Sequence, residues 1–240
     1  MIELQREGSI YVLTMDAGEN RWNTTFVREF ALALDEVEKD TGPGALITTA
    51  ADPKFFSNGL DLEWVNAPEE HPDAGDRMVF GKEFMSLMAR VITFPVPTIS
   101  AINGHAFGAG FMLTLCHDIR IMREERGYLC ANEMQLGMSI PRPELALFRH
   151  KIPANSFFET VQLSKRWTGP KALEAGIVQE VSSIDRLIEV AQSKAEELAP
   201  LATNRSNFGT QKELLYGENS AINSEHGPAY MLRNSERFHD

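Results

Sequence analysis

Apolar and polar positions along this chain switch between a period of two and a period near 3.6. Ile10-Tyr11-Val12-Leu13-Thr14-Met15, after the turn at Glu7-Gly8-Ser9, has the apolar run of a strand. Asn23-Thr24-Thr25 then caps a helical pattern with apolar positions at Phe26, Val27, Phe30, Leu34 and Val37. Thr41-Gly42-Pro43-Gly44 breaks that pattern, and Ala45 to Thr49 predicts a second strand. Strand, helix, strand implies a parallel pair with a right-handed crossover. Residues 66–77 are acidic, contain Pro68 and Pro72, and predict a mobile surface loop. A long helix is expected over Phe80 to Phe94, and a buried strand over Pro97 to Ile102 running into Asn103-Gly104. A short helix from Gly108 and a strand at Asp118 to Met122 follow. Beyond Pro143 the pattern is helical, near 154–164, 170–175, 184–198 and 205–235. The front two-thirds reads as α/β and the last third as all helix.

Composition narrows the class. The chain has 240 residues, 43% of them hydrophobic, which suits one domain or one domain with a small appended part. No apolar stretch approaches the roughly 20 residues of a membrane span. The beginning lacks a leader pattern and the end is not a Ser-Lys-Leu address, so a soluble, cytoplasmic protein with no membrane partner is expected. The formal charge of −11 is spread among mixed residues and argues against nucleic acid as a partner. Cys116 and Cys130 sit in apolar segments without neighbours at metal spacing, and read as buried thiols. No metal is expected.

Three segments carry candidate chemistry. In Lys54-Phe55-Phe56-Ser57-Asn58-Gly59-Leu60-Asp61-Leu62, small and polar residues around a glycine let backbone amides face outward, although a plain loop before a helix has the same pattern. In Asn103-Gly104-His105-Ala106-Phe107-Gly108-Ala109-Gly110-Phe111, glycines open a helix whose free N–H groups and dipole suit developing negative charge. Close helix packing explains those glycines as well, and His105 reads as a turn residue. In Ala131-Asn132-Glu133-Met134-Gln135-Leu136-Gly137-Met138, Glu133 lies among apolar residues. Desolvation there would raise its pKa and make it a competent general base; a surface glutamate is the plainer alternative.

In this order the three segments, together with Trp167-Thr168-Gly169-Pro170-Lys171-Ala172-Leu173-Glu174-Ala175-Gly176-Ile177-Val178, resemble the crotonase (enoyl-CoA hydratase/isomerase) superfamily over nearly the whole chain. The resemblance implies an α/β fold: a crotonase-like spiral of ββα units over 1–199, then a helical trimerisation region over 200–240. It implies an acyl-CoA thioester as substrate, with coenzyme A part of the substrate and no separate cofactor. A homotrimer or hexamer follows, supported by the apolar Leu214, Leu215, Tyr216, Tyr230, Met231 and Leu232. By the same resemblance the N–H groups of Leu60 and Ala109 form an oxyanion hole. Arg21, Lys54, Ser57, Asn58, Gly59, Asp61, Gly108 and Met112 fall at substrate- or coenzyme-binding positions.

Typical hydratases of this family carry two glutamates. Here the first position is Met112 and the second is Glu133, so the pair that holds a water is half missing. The chain is more similar to one-glutamate Δ3,Δ2-enoyl-CoA isomerases, in which one base takes a proton from C2 of a 3-enoyl chain and returns it at C4. After Pro141 the family's glycine-rich run is replaced by Arg142-Pro143-Glu144-Leu145-Ala146-Leu147-Phe148. Glu144 thereby becomes a candidate second acid, though a glutamate after a proline is also an ordinary helix start. Phe111, Met112, Met134 and Met138 read equally as acyl-channel lining or as core. Isomerisation, hydration or another crotonase reaction, and acyl-CoA binding without turnover remain as three readings.

Overall fold

The computed structural model describes residues 1–67, 74–219, 222–223 and 226–238. The first two strands, β1 (Ile2–Glu7) and β2 (Ile10–Met15), form an antiparallel hairpin turned at Gly8. Helix α1 (Thr24–Glu38) begins where the Asn23 side chain accepts the Phe26 N–H, and it crosses over to β3 (Ala45–Ala50), parallel to β2.

From β3 onward the chain repeats one move three times. A strand of a large sheet is followed directly by a short strand of a small second sheet, then by a helix. β3 leads to β4 (Phe55–Ser57), then α2 (Leu62–Val65) and α3 (Ala74–Ile92). β5 (Thr98–Ile102) leads to β6 (His105–Phe107) and α4 (Ala109–Cys116). β7 (Ile119–Arg123) leads to β8 (Leu129–Cys130), a 3-10 turn (Glu133–Leu136) and α5 (Arg142–Lys151). The large sheet runs β1-β2-β3-β5-β7-β9, closed by β9 (Glu180–Ser182), and the small one β4-β6-β8; beyond the first hairpin all pairs are parallel. This is the ββα spiral that the resemblance implied.

Period-two alternation explains how the large sheet is covered on both faces. Ala45 and Ile47 of β3 face α8 (Ile184–Leu198), which closes down on them through Ala191 and Ala195, while Leu46 faces the main core. In that core Trp22 is fully buried against Phe26, Phe30 and Phe84, with ring centroids 4.8, 5.7 and 5.3 Å away. The remaining helices are α6 (Ala154–Val161), α7 (Gly169–Glu174), α9 (Arg205–Tyr216) and α10 (Pro228–Arg233). Leu232 of α10 is fully buried in the same core, whereas Leu214 and Leu215 remain exposed.

Three expectations need correction. The loop expected over 66–77 gives way to helix from Ala74; residues 68–73 of that stretch lie outside the described residues. Helix α1 holds the new helix start: Thr24 Oγ1 donates to the Asp76 carbonyl at 2.7 Å and Arg28 pairs with Asp76 at 2.9 Å. The helix expected over 205–235 is interrupted, because Gly217 takes an extended conformation and α10 restarts at Pro228. β1 appears where no strand was expected, largely exposed and, among the described residues, paired only with β2.

Beneath α9 lies a buried cationic cluster. Lys212 Nζ pairs with Asp118 at 2.6 Å and donates to the Val96 carbonyl. Arg120 donates to the Ile177 and His117 carbonyls, and Lys151 donates to the Tyr216 hydroxyl at 3.1 Å. Among the described residues no helix is long and apolar enough to cross a membrane.

Candidate active site

The three ββα units converge where the small-sheet strands end. Gly59 and Gly108, at φ +81° and +48°, hold turns that a side chain would strain. A Cβ on Gly59 would meet the Phe107 carbonyl at 2.9 Å, and one on Gly108 would meet Glu133 Oε1 at 3.1 Å. The first unit therefore meets the second backbone to backbone, and the second meets the third where the Glu133 side chain lies against Gly108.

The direction of the Leu60 N–H follows from its bridge to Trp22. Trp22 N–H donates to the Gly59 carbonyl at 2.9 Å and Asp61 N–H donates to the Trp22 carbonyl at 3.0 Å. In extended backbone, successive groups alternate sides, so the Leu60 N–H points away from Trp22. The Ala109 N–H is the first of α4 and has no intrahelical acceptor. Among the described residues neither N–H is taken by an acceptor. Both residues line a cavity of about 410 Å3, walled by Leu62, Phe80, Phe84, Met85, Leu136, Met138 and Pro141.

Two carboxyl groups face this cavity, Glu133 and Glu144. Glu133 opens the 3-10 turn that Gly137, at φ +71°, closes; its Oε2 is buried without a hydrogen-bond partner among the described residues. Burial pushes its pKa above the ordinary glutamate value, opposed only by its own backbone N–H. Glu144 lies in the first turn of α5, and burial together with the nearby Glu133 pushes it up to about 8.

The other expected site residues divide. Asn58, Gly59, Gly108 and Arg21 line the cavity. Arg21 and Asn58 sit at its edge, tied together by Glu19 at 2.6 and 2.8 Å. Ser57 lies behind the wall, fully buried, its Oγ donating to the Asn20 carbonyl at 2.7 Å. Asp61 is spent on capping α2 through the Trp64 N–H. Lys54 is exposed over the Phe55 ring, off the cavity wall. Met112 is fully buried and is not among the described residues that line the cavity. All eight residues of α4 are buried, and past its first residues the helix turns into the core, carrying Phe111 with it. Phe80, Phe84 and Met85 of α3, not foreseen as site residues, form the opposite wall; the i, i+4 spacing of Phe80 and Phe84 is equally that of a core-facing helix stripe. Among the described residues no group of three or more His, Cys, Asp or Glu is placed to hold a metal ion.

Two unpartnered N–H donors can polarise a carbonyl and hold the oxyanion that forms from it. A desolvated carboxylate beside them can take a proton from the carbon next to that carbonyl. The profile of the enoyl-CoA hydratase/isomerase family matches residues 5–215. A peroxisomal enoyl-CoA delta isomerase 2 of Arabidopsis thaliana is 31% identical over 223 residues, covering 91% of this chain and 93% of that protein. A carnitinyl-CoA dehydratase of Escherichia coli K12 is 32% identical over 206 residues, covering 84% of this chain and 76% of that one. The crystal structure of a probable enoyl-CoA hydratase from Mycobacterium tuberculosis H37Rv superposes with a TM-score of 0.79 at 26% identity, covering 98% and 92% of the two chains. Human mitochondrial delta3-delta2-enoyl-CoA isomerase shares the fold, with a TM-score of 0.77 at 23% identity over 89% and 82%. The chain belongs to the enoyl-CoA hydratase/isomerase family and is an enzyme of the crotonase superfamily.

Proposed function

We propose that this enzyme is a Δ3,Δ2-enoyl-CoA isomerase. The thioester oxygen of a 3-enoyl-CoA accepts the N–H groups of Leu60 and Ala109, which acidifies C2. Glu133 removes a C2 proton, the electrons spread over oxygen, C2 and C4 as a dienolate, and protonation at C4 leaves the double bond at C2. The acyl chain lies along Phe80, Phe84, Met85 and Met138, and the coenzyme leaves past Arg21 and Asn58.

The observation that carries this reading is Glu133: a desolvated carboxylate with an unpartnered oxygen, in the same apolar cavity as two unpartnered N–H groups. The hydratase pair does not form, because the position of its other acid is Met112, turned into the core. The homologous delta isomerases of Arabidopsis thaliana support the same reaction class. The test is to incubate the protein with 3-hexenoyl-CoA in D2O, following conjugation by ultraviolet absorbance and label by mass spectrometry. Conjugated product forming much faster than hydration of 2-hexenoyl-CoA is expected; efficient hydration with slow isomerisation would refute the proposal.

A further inference from the structure

The reaction described above uses one carboxylate, yet the cavity contains two. They stand on separate supports: Glu133 on the 3-10 turn, Glu144 on α5, with Met138, Ser139 and Pro141 lining the wall between them. Glu144 is engaged in no hydrogen bond or ion pair among the described residues, so it is not tied up as a helix cap.

The charges around it do not neutralise it. Among the described lining residues the one cation is Arg21, which Glu19 holds at the cavity edge. From α4, Glu144 faces Cys116, a thiol that burial pushes up to about 12 and keeps neutral. On α6, Glu159 pairs with Lys165, and on α10, Arg233 pairs with Glu213. On the turn after α10, Glu236 pairs with Lys82 and Arg237 donates to the Tyr230 hydroxyl. Glu133 is left as the charge that Glu144 feels most, and it is of the same sign. Two like carboxyl groups in one apolar cavity resist ionising together; one keeps a proton. At neutral pH the proton stays on Glu144.

We propose that Glu144 is a second catalytic residue, the acid that delivers the proton to C4 while Glu133 removes the one at C2. This rests on the isomerase reading and departs from a single shuttling base. Glu133 carboxylate takes H+ from C2 and becomes the acid; the C2–H electron pair enters the dienolate. The dienolate then forms its C4–H bond with the proton of Glu144, which becomes the carboxylate. Glu133 gives its proton to water and Glu144 takes one from water, and the site is restored with no net gain or loss.

A single turnover with enzyme in excess distinguishes the two routes. The substrate is 3-hexenoyl-CoA carrying two deuteriums at C2, in ordinary water. Two carboxyl groups give a 2-enoyl product with one deuterium, because C4 receives protium; a single shuttling base that does not exchange with water gives a product with two, and the Glu144→Gln label below excludes exchange at Glu133. Glu144→Gln should lower kcat roughly 100-fold with little change in KM. It should also abolish the loss of wild-type activity as pH rises through about 8, and let the slow residual turnover keep both deuteriums. Two deuteriums in the wild-type product would overturn the proposal, using no variant at all. So would a Glu144→Gln protein that keeps its kcat and its alkaline limb. A wild type that binds the acyl-CoA but forms no conjugated product would sink the isomerase reading and this inference together; a wrong label pattern sinks this one alone.

Discussion

Helix α5 carries a buried ionisable group at each end, an acid at the first and a base at the last. At its first turn Glu144 has another carboxylate for company, and it is pushed up to about 8. At its last turn Lys151 lies among Arg120, Asp118 and Tyr216, and burial is the main force bringing it down to about 8. Both residues sit where the helix dipole favours their charged forms, yet desolvation moves each toward neutrality. Their neighbours then decide what they can do. Lys151 has Asp118 nearby and keeps its proton at neutral pH, where it fastens α5 to Tyr216 of α9. Glu144 has no partner cation among the described residues and also keeps its proton, which leaves a neutral acid facing the cavity of the proposed reaction. One end of α5 spends its charge on holding the fold. The other withholds charge for chemistry.

The largest effect should come from removing the anion on the cavity side. Glu133→Gln keeps the shape and loses the basicity, so isomerase turnover should fall roughly 1,000-fold or more while acyl-CoA binding persists. Retention of more than about a tenth of the wild-type rate would move the role of base to Glu144. Next is the anion at the other end. Asp118→Asn leaves Lys212 buried without its partner and should cost about 3 kcal/mol in urea unfolding, with the label pattern of the folded enzyme unchanged. A loss below about 1 kcal/mol would mean that the cationic cluster needs no counter-ion.

The two ends should also differ in how stability responds to pH. The folded-state pKa of Glu144 is raised, so between about 4.5 and 8 the unfolded chain gives up a proton that the folded one keeps, and stability falls across that window. Glu144→Gln should therefore match wild type near pH 4 and exceed it most above pH 8, by about 2–4 °C in Tm for each kcal/mol released. The folded-state pKa of Lys151 is lowered, so wild-type stability should instead rise between about 8 and 10.5. Lys151→Met should remove that rise. Thermal melts of both variants from pH 4 to 10 check the pair, and parallel pH curves would contradict the contrast drawn between the ends of α5. Met112→Glu should yield the smallest functional change: a less stable protein with no hydration of 2-enoyl-CoA above wild type, since that side chain points into the core.

The sequence reaches some of this arrangement and misses the rest for definite reasons. Gly59-Leu60 and Gly108-Ala109 are legible because glycine in a positive-φ turn leaves a mark on the sequence, and Glu133 because a lone carboxylate among methionines is unusual. Met112 is misplaced because α4 is apolar on every side, so no period tells which residues face the cavity. The short strands β4 and β8, of three and two residues, offer too little length for alternation to register. Glu144 looks like an ordinary helix start until its distance in the chain from Glu133 is seen to close around one cavity. The wall formed by Phe80, Phe84 and Met85 has the same limitation, since core and cavity ask for the same residues at the same spacing.

The placement of one site residue after each small-sheet strand has a kinetic consequence. Leu60, Ala109 and Glu133 come together only when β4, β6 and β8 pair, and Phe55 must find His105, and Ala106 must find Leu129, across dozens of residues of intervening chain. Parallel pairing of that kind is of high contact order and closes slowly, whereas α8 and α9 can form from neighbouring residues. During refolding from urea, helical signal should therefore return well before enzyme activity. An intermediate halted at that stage would expose the faces of three short, unpaired strands, which makes the region around the future cavity the part of the chain most prone to misassociate at high concentration.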